Sequence, residues 1–257
     1  MNLVLNEEIA HLAFLMMRPL GMTLLFPLLQ AGNLGAPLVR NAVLMAIALP
    51  MLAVVPMPQD IGEGWTWLSY IPGELLIGLV LGFCGAIPFW AVDMAGFIID
   101  SLRGATMSAV FNPAMSVKSS LFGLLFSQFL CALFFISGGI NLHLSVLYDS
   151  YHYLPPGNTL AFNQPLLDFI KVEWQALYHL CLSFSLPAVL VMVLRDMALG
   201  LLNRSAQQLN VFFLAMPIKS LLVLLLLIVS LPYALHHYLV ESERLYQHVG
   251  EWLAQHE

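Results

Sequence analysis

Ser101–Ser120, SLRGATMSAVFNPAMSVKSS, separates two of the most apolar runs in the chain and cannot itself be a span. Ser101, Arg103, Ser108, Asn112, Ser116, Lys118, Ser119 and Ser120 make it too polar to lie unaided in hydrocarbon. Gly104 and Asn112-Pro113 interrupt any continuous helix, because proline has no N–H to donate and disfavours helix at the residue before it. Irregular backbone beside membrane spans is tolerated where protein covers it or where it lines a wet cavity. Thr106, Met107, Val110, Phe111, Ala114, Met115 and Val117 are nonetheless apolar enough to bury. Two readings stand side by side: an ordinary surface loop, or a half-apolar, Met-bearing segment that closes a conduit.

The flanking sequence decides the class. Of 257 residues, 60% are apolar and only 9% charged, and the mean hydropathy is +0.85. A soluble domain carries about 25% charged residues, so the fold expected is all-α and polytopic, in one integral membrane domain over 1–257. A helix needs about 20 apolar residues to cross a bilayer. Six segments come near that length: 9–29, 38–57, 68–100, 120–142, 176–202 and 211–235. The third is too long for one upright span and is expected to kink near Pro88; Gly138-Gly139 does the same in the fourth. Residues 143–172, rich in Tyr, His, Pro and Asn, read as an ordered outer cap. The tail 236–257, with Leu239, Leu245, Val249 and Leu253 among acids and His, reads as a short amphipathic helix outside the membrane.

Orientation follows from the basic residues. Loops holding Arg40, then Arg103 and Lys118, then Arg195, Arg204 and Lys219 carry six of the nine Lys/Arg. The opposite loops and tails hold most of the acids, with only Lys171 and Arg244. The positive-inside rule then puts both termini outside and 101–120 on the cytoplasmic side. Glu7 and Glu8 stand where a cleavable signal would be basic, so the first run reads as a retained span.

Several residues do not belong in lipid. Arg18, followed by Pro19, lies midway through the first run, where a central arginine costs about 2.5–3.5 kcal/mol unless paired or hydrated. Glu74, Asp93 and Asp100 are the available carboxylates. Asp93 and Asp100, seven apart, share a helix face with Gly96 and Gly104 nearby. The pattern fits an ion relay, or a polar, small-residue stripe on which another helix or subunit docks. Gly78 and Gly82 form a GxxxG pair, within Gly73 and Gly85, that lets two backbones approach closely. Cys84, Cys131 and Cys181 lie inside apolar segments without CxxC spacing, and the eight histidines are scattered, so no metal site is indicated. Without a nucleotide-binding glycine loop or a triad spacing, nothing points to an enzyme or a cofactor.

Arg195–Ser220, RDMALGLLNRSAQQLNVFFLAMPIKS, is where the chain resembles a known family. Gly200-Leu201-Leu202-Asn203-Arg204, Gln208-Leu209-Asn210-Val211-Phe212 and Met216-Pro217-Ile218-Lys219 are similar to the FliR/SctT family, the T/R-type export-gate subunit of type III secretion systems and flagella. Arg18-Pro19-Leu20-Gly21 with Pro27, Glu74 through Gly78 with Gly82-Phe83, and Ala95 through Asp100 with Gly104 and Asn112-Pro113 agree with it. The resemblance runs from about residue 15 to 235, and NRSA…LNVFFLAMPIKS looks nearer to the virulence branch. One departure is Gln207-Gln208, where the family usually has Pro-Gln; the entry to the last span lacks the stiffening that a proline gives.

The resemblance implies a non-enzymatic structural and gating subunit of the bacterial inner membrane. One copy would join five P/R-type and four Q/S-type subunits in a helical cone inside the basal body, alongside other export-apparatus membrane proteins. Unfolded secreted proteins would pass through it, lipid would surround its base, and no nucleic acid or cofactor would be involved. In that cone, apolar segments are helical hairpins buried in protein, a burial that hydropathy cannot distinguish from bilayer crossing. The family's pore plug corresponds to Asp100–Ser120, which implies plug roles for Gly104, Met107, Val110, Phe111, Asn112, Pro113 and Met115. A small-molecule or ion secondary transporter using Arg18, Glu74 and Asp93 is the alternative, though no internal repeat is visible.

Overall fold

A computed structural model of the chain describes residues 2–29, 37–56, 70–104, 120–157, 163–205 and 211–254. Every regular element among them is a helix: α1 (Asn2–Leu15), α2 (Met17–Leu25), a 3-10 turn (Pro27–Leu29), α3 (Pro37–Leu52), α4 (Ile71–Arg103), α5 (Leu121–Ile136), α6 (Gly139–Tyr153), α7 (Gln164–Ser205) and α8 (Val211–Ala254). α4, α7 and the stretch Glu8–Leu25 are long and apolar enough to cross a membrane, and α5 with α6 passes the same test as one bent pair. The chain is an all-α polytopic membrane protein.

Each of the six apolar segments is helical: three helices of spanning length, the bent pair, and two shorter apolar stretches, α3 with 16 residues and 217–229 within α8. Two expectations need correction. The cap expected over 143–172 is helical up to Tyr153 and again from Gln164. The tail is not a separate helix, since α8 runs on unbroken from Val211 to Ala254. Polar residues at regular spacing extend a helix as readily as apolar ones, so a fall in hydropathy marks where burial changes and not where the helix ends. The Gly138-Gly139 break is present: Gly138 takes φ 79°, which costs glycine little, and α5 and α6 meet at 73°. α4 continues through Pro88.

The described chain forms two compact units. The first comprises Met1–Ile87, Phe134–Glu173 and Ser242–Glu257; the second, Pro88–Leu133 and Trp174–Glu241.

In the first unit α2 crosses the start of α4 with no side chains between the backbones. A Cβ on Gly78 would fall on the Arg18 carbonyl, one on Gly82 on the Met22 carbonyl, and one on Gly21 on the Leu75 carbonyl. The GxxxG pair is therefore an intramolecular face, held by dispersion at short range. His143 lies against it as a flat core ring, stacked on Phe26 at 4.2 Å and edge-on to Tyr246 at 5.3 Å. Cys84 is buried here, and all three cysteines are free thiols.

Pro19 explains the break between α1 and α2. Lacking an N–H, it leaves the carbonyl of Leu15, four residues back, without its helical partner. The Tyr151 hydroxyl donates to that oxygen at 2.8 Å.

In the second unit α7 and α8 run antiparallel. The Tyr238 hydroxyl donates to the Leu180 carbonyl at 2.9 Å, and Phe184 packs edge-on between Phe126 and Tyr238. Gly96 lets α4 and α5 touch at Gly123. Leu182, Leu186, Leu190, Val193 and Met197, at i, i+4, i+8, i+11 and i+15, leave an exposed apolar stripe along α7.

Two substitutions test this packing. Tyr151→Phe strands a buried carbonyl and should lower stability by about 1–3 kcal/mol. Gly78→Ala, which meets backbone rather than a movable side chain, should cost more. Thermal unfolding of the purified chain in detergent reads both.

Candidate functional site

Two clusters gather the residues singled out from the sequence. The first is built on Arg18, fully buried (0% exposed), beside Glu74, 1% exposed. The partner of Arg18 is Glu74: Nε donates to Oε2, and Nη2 to Oε1 at 3.2 Å. Nη1 donates to the Ser150 carbonyl at 2.8 Å and the Ser150 hydroxyl at 3.1 Å, and Nη2 also to the Leu154 carbonyl at 2.6 Å. All five guanidinium hydrogens are therefore used, the condition under which a buried charge is tolerated. The Tyr151 ring lies 4.3 Å from the guanidinium carbon. Glu74 stands in the first turn of α4, where the helix dipole favours an anion, and Oε1 also accepts from the Gly157 N–H at 3.4 Å.

Ser150, Tyr151, Leu154 and Gly157 were not legible as partners. Three of them contribute backbone atoms, which carry no sequence signal, and the region had been read as an outer loop. The one available signal was Arg18 itself, whose five donors exceed what a single carboxylate can accept.

The second cluster lies in the second unit, at the ends of α4 and α5. Asp100 Oδ1 accepts from Arg103 Nη2 at 2.7 Å; Oδ2 accepts from the Ser120 hydroxyl at 2.7 Å and the Phe122 N–H at 3.0 Å. Ser120 in turn accepts from the Gly123 N–H at 2.8 Å. Asp100 and Ser120 thus cap two of the four amides that the start of α5 leaves without helical partners. Arg103 lies over the Phe122 ring at 4.6 Å. Gly104 ends α4 with φ 91°. Lys219 Nζ donates to the Leu102 carbonyl at 3.1 Å and pairs with Asp196 Oδ2 at 2.9 Å, and Arg195 also pairs with Asp196. A residue of the Arg195–Ser220 motif is thereby tied to the last turn of α4.

The other expected site residues are dispersed. Asp93 is exposed on α4, with Oδ1 close over Gly123, while Asp100, on the same helix, is buried. Gly200 has open space around it, and Arg204 and Pro217 are exposed. Phe212 lies in α8. Gln208, Asn210 and the residues expected to form a plug, Met107, Val110, Phe111, Asn112, Pro113 and Met115, lie outside the described residues. Among the described residues no group of three or more His, Cys, Asp or Glu is placed to hold a metal.

Glu74→Leu leaves the Arg18 charge buried without its counter-ion and should cost about 3–5 kcal/mol. The double variant Arg18→Met/Glu74→Leu should be more stable than Glu74→Leu alone, as denaturant unfolding in micelles would show. Asp100→Ala uncaps α5 and should speed amide exchange at Phe122 and Gly123 about fivefold to tenfold.

The sequence places these clusters among known proteins. The family model "Bacterial export proteins, family 1" matches residues 9–245. "Secretion system apparatus protein SsaT" of Salmonella typhimurium strain LT2 is 58% identical over 250 residues, 96% of each chain. "Yop proteins translocation protein T" of Yersinia pestis is 36% identical over 207 residues, covering 80% of this chain and 79% of that one. "Flagellar biosynthetic protein FliR" of Bacillus subtilis is 30% identical over 181 residues, 68% of each. A match across nearly the whole membrane portion, including both clusters, makes this chain a member of the bacterial export proteins of family 1.

Proposed function

We propose that the chain is a non-enzymatic structural and gating subunit of the export gate of a bacterial type III secretion system, seated in the inner membrane within the basal body. The observation that carries this is the 58% identity to SsaT over 96% of both chains. The higher identity to SsaT and to the Yersinia translocation protein than to flagellar FliR supports a virulence-type system. Its partners are one set of five P/R-type and four Q/S-type subunits per copy, with other membrane proteins of the apparatus. Unfolded secreted proteins are its cargo.

The exposed apolar stripe on α7 fits such an assembly, because it needs either lipid or another apolar surface to cover it. A single integral domain with 101–120 on the cytoplasmic side remains part of this reading. Arg18, Glu74, Gly78 and Gly82 then serve to hold the subunit's own helices together. The transporter alternative loses its support, because Arg18 and Glu74 are closed on each other and Asp93 lies about five turns further along α4.

In this gate the plug is Gly104, Met107, Val110, Phe111, Asn112, Pro113 and Met115. Methionines and a phenylalanine pack adaptably without directional bonds, which suits a closure that must yield to a passing chain and then reseal. The Asp100–Arg103–Ser120 cluster supports that assignment by fastening the two ends of the segment to one place.

Gentle extraction from the native membrane should yield a large complex with one copy of this chain and several of two other small membrane proteins. A monomer or plain homodimer from secreting cells would overturn the export-gate reading. Deleting Ala105–Met115 should leave that complex assembled while raising small-ion conductance across the membrane. Unchanged conductance in the assembled deletion complex would remove the plug assignment.

A further inference from the structure

The start of α7 and the end of α8 enclose a second feature of the first unit, with no part in the two clusters above. Phe169 and Trp252 stack at 4.8 Å and 23°, and His248 lies beside Phe169 at 5.6 Å. His248 Nδ1 is held at 2.8 Å from Oε1 of Glu173, which is buried. Over these rings is a cavity of about 260 Å³ lined by Pro165, Asp168, Phe169, Val172, His248, Glu251 and Trp252. Asp168 and Glu251 are both exposed, and among the described residues no lysine or arginine lines the cavity. Asp168 Oδ1 accepts from Gln164 Nε2 at 3.3 Å, which orients the carboxylate without neutralising it.

Size, charge and chemistry point to one kind of occupant. Small-molecule sites run from about 300 to 1,000 Å³, so this cavity holds no more than a single long side chain. Two carboxylates, with the lining's His248 already engaged by the buried Glu173, select a cation. An aromatic pair selects a flat, weakly hydrated cation over a compact, strongly hydrated one, because the flat cation stacks and sheds water more easily. Arginine meets all three demands and is enriched among the anchoring residues of protein interfaces.

We propose that this cavity is the receptor for an arginine side chain projecting from a partner polypeptide, with the guanidinium over the Phe169–Trp252 pair and between Asp168 and Glu251. The proposal concerns a surface distinct from the plug and its root, and stands or falls separately from them.

The full chain in lipid nanodiscs, labelled with 5-fluorotryptophan, provides the test; Trp252→Phe assigns the resonance. N-acetylarginine methylamide should shift the Trp252 resonance saturably, with half-saturation in the millimolar range. N-acetyllysine methylamide should bind at least about threefold more weakly, and the uncharged citrulline analogue should give no saturable shift. Asp168→Asn/Glu251→Gln, which alters only exposed side chains, should weaken arginine binding about tenfold with unchanged far-ultraviolet circular dichroism. Absence of a saturable shift, equal binding of citrulline, or undiminished binding to the double variant would overturn the proposal. Tighter binding of phosphocholine than of the arginine amide would also overturn it, assigning the cavity to a lipid headgroup.

Discussion

A guanidinium with no access to water is the constraint on which the first unit depends. Arg18 is fully buried, so its charge and its five donors must be answered by protein. The answer recruits three parts of the chain that are far apart in sequence: α2 carries the arginine, the first turn of α4 brings Glu74, and the end of α6 turns the Ser150 and Leu154 carbonyls inward. Each partner is held by something else. Gly21, Gly78 and Gly82 let α2 lie directly on α4, which brings the ion pair within reach. Tyr151 lies against the guanidinium and donates to the carbonyl that Pro19 leaves open. A proline beside an intramembrane arginine looks like two separate irregularities. Both are resolved by neighbouring residues of the same helix, Ser150 and Tyr151.

The second unit solves a different problem with similar means. A helix that ends and another that begins leave amides and carbonyls without partners. Here Asp100 and Ser120 take amides of α5, and Lys219 takes a carbonyl of α4. The outcome is a polar knot in which Asp196 holds Lys219 and Asp100 holds Arg103, with Lys219 reaching the last turn of α4 through the Leu102 carbonyl.

Much of the fold could be read from residues alone, for identifiable reasons. Apolar runs, Gly138-Gly139 and the glycines near Glu74 are local signals: they act through hydropathy, backbone freedom and side-chain size at their own positions. The continuation of α8 through residue 236 was not legible, because hydropathy falls there while helix propensity does not. The helical course of 143–153 was hidden for a similar reason, its Tyr, His and Ser content resembling a surface loop until its buried face is known. The GxxxG pair was legible as a close-contact face, but whether the contact would be within the chain or between chains was not.

From its sequence alone this protein is determined to be an all-α membrane protein carrying the ordered motifs of one export family, and to hold an arginine that lipid will not accept. Only the tertiary structure decided which carboxylate answers that arginine, since Glu74, Asp93 and Asp100 are equivalent in charge and differ in what the folded helices bring near them. It also decided that Asp100 caps α5 and that Asp168 and Glu251 line one cavity with the Phe169–Trp252 pair. The reason is the same in each case. Composition and periodicity report what each residue requires, whereas pairing depends on distance between segments far apart in the chain, which packing alone sets.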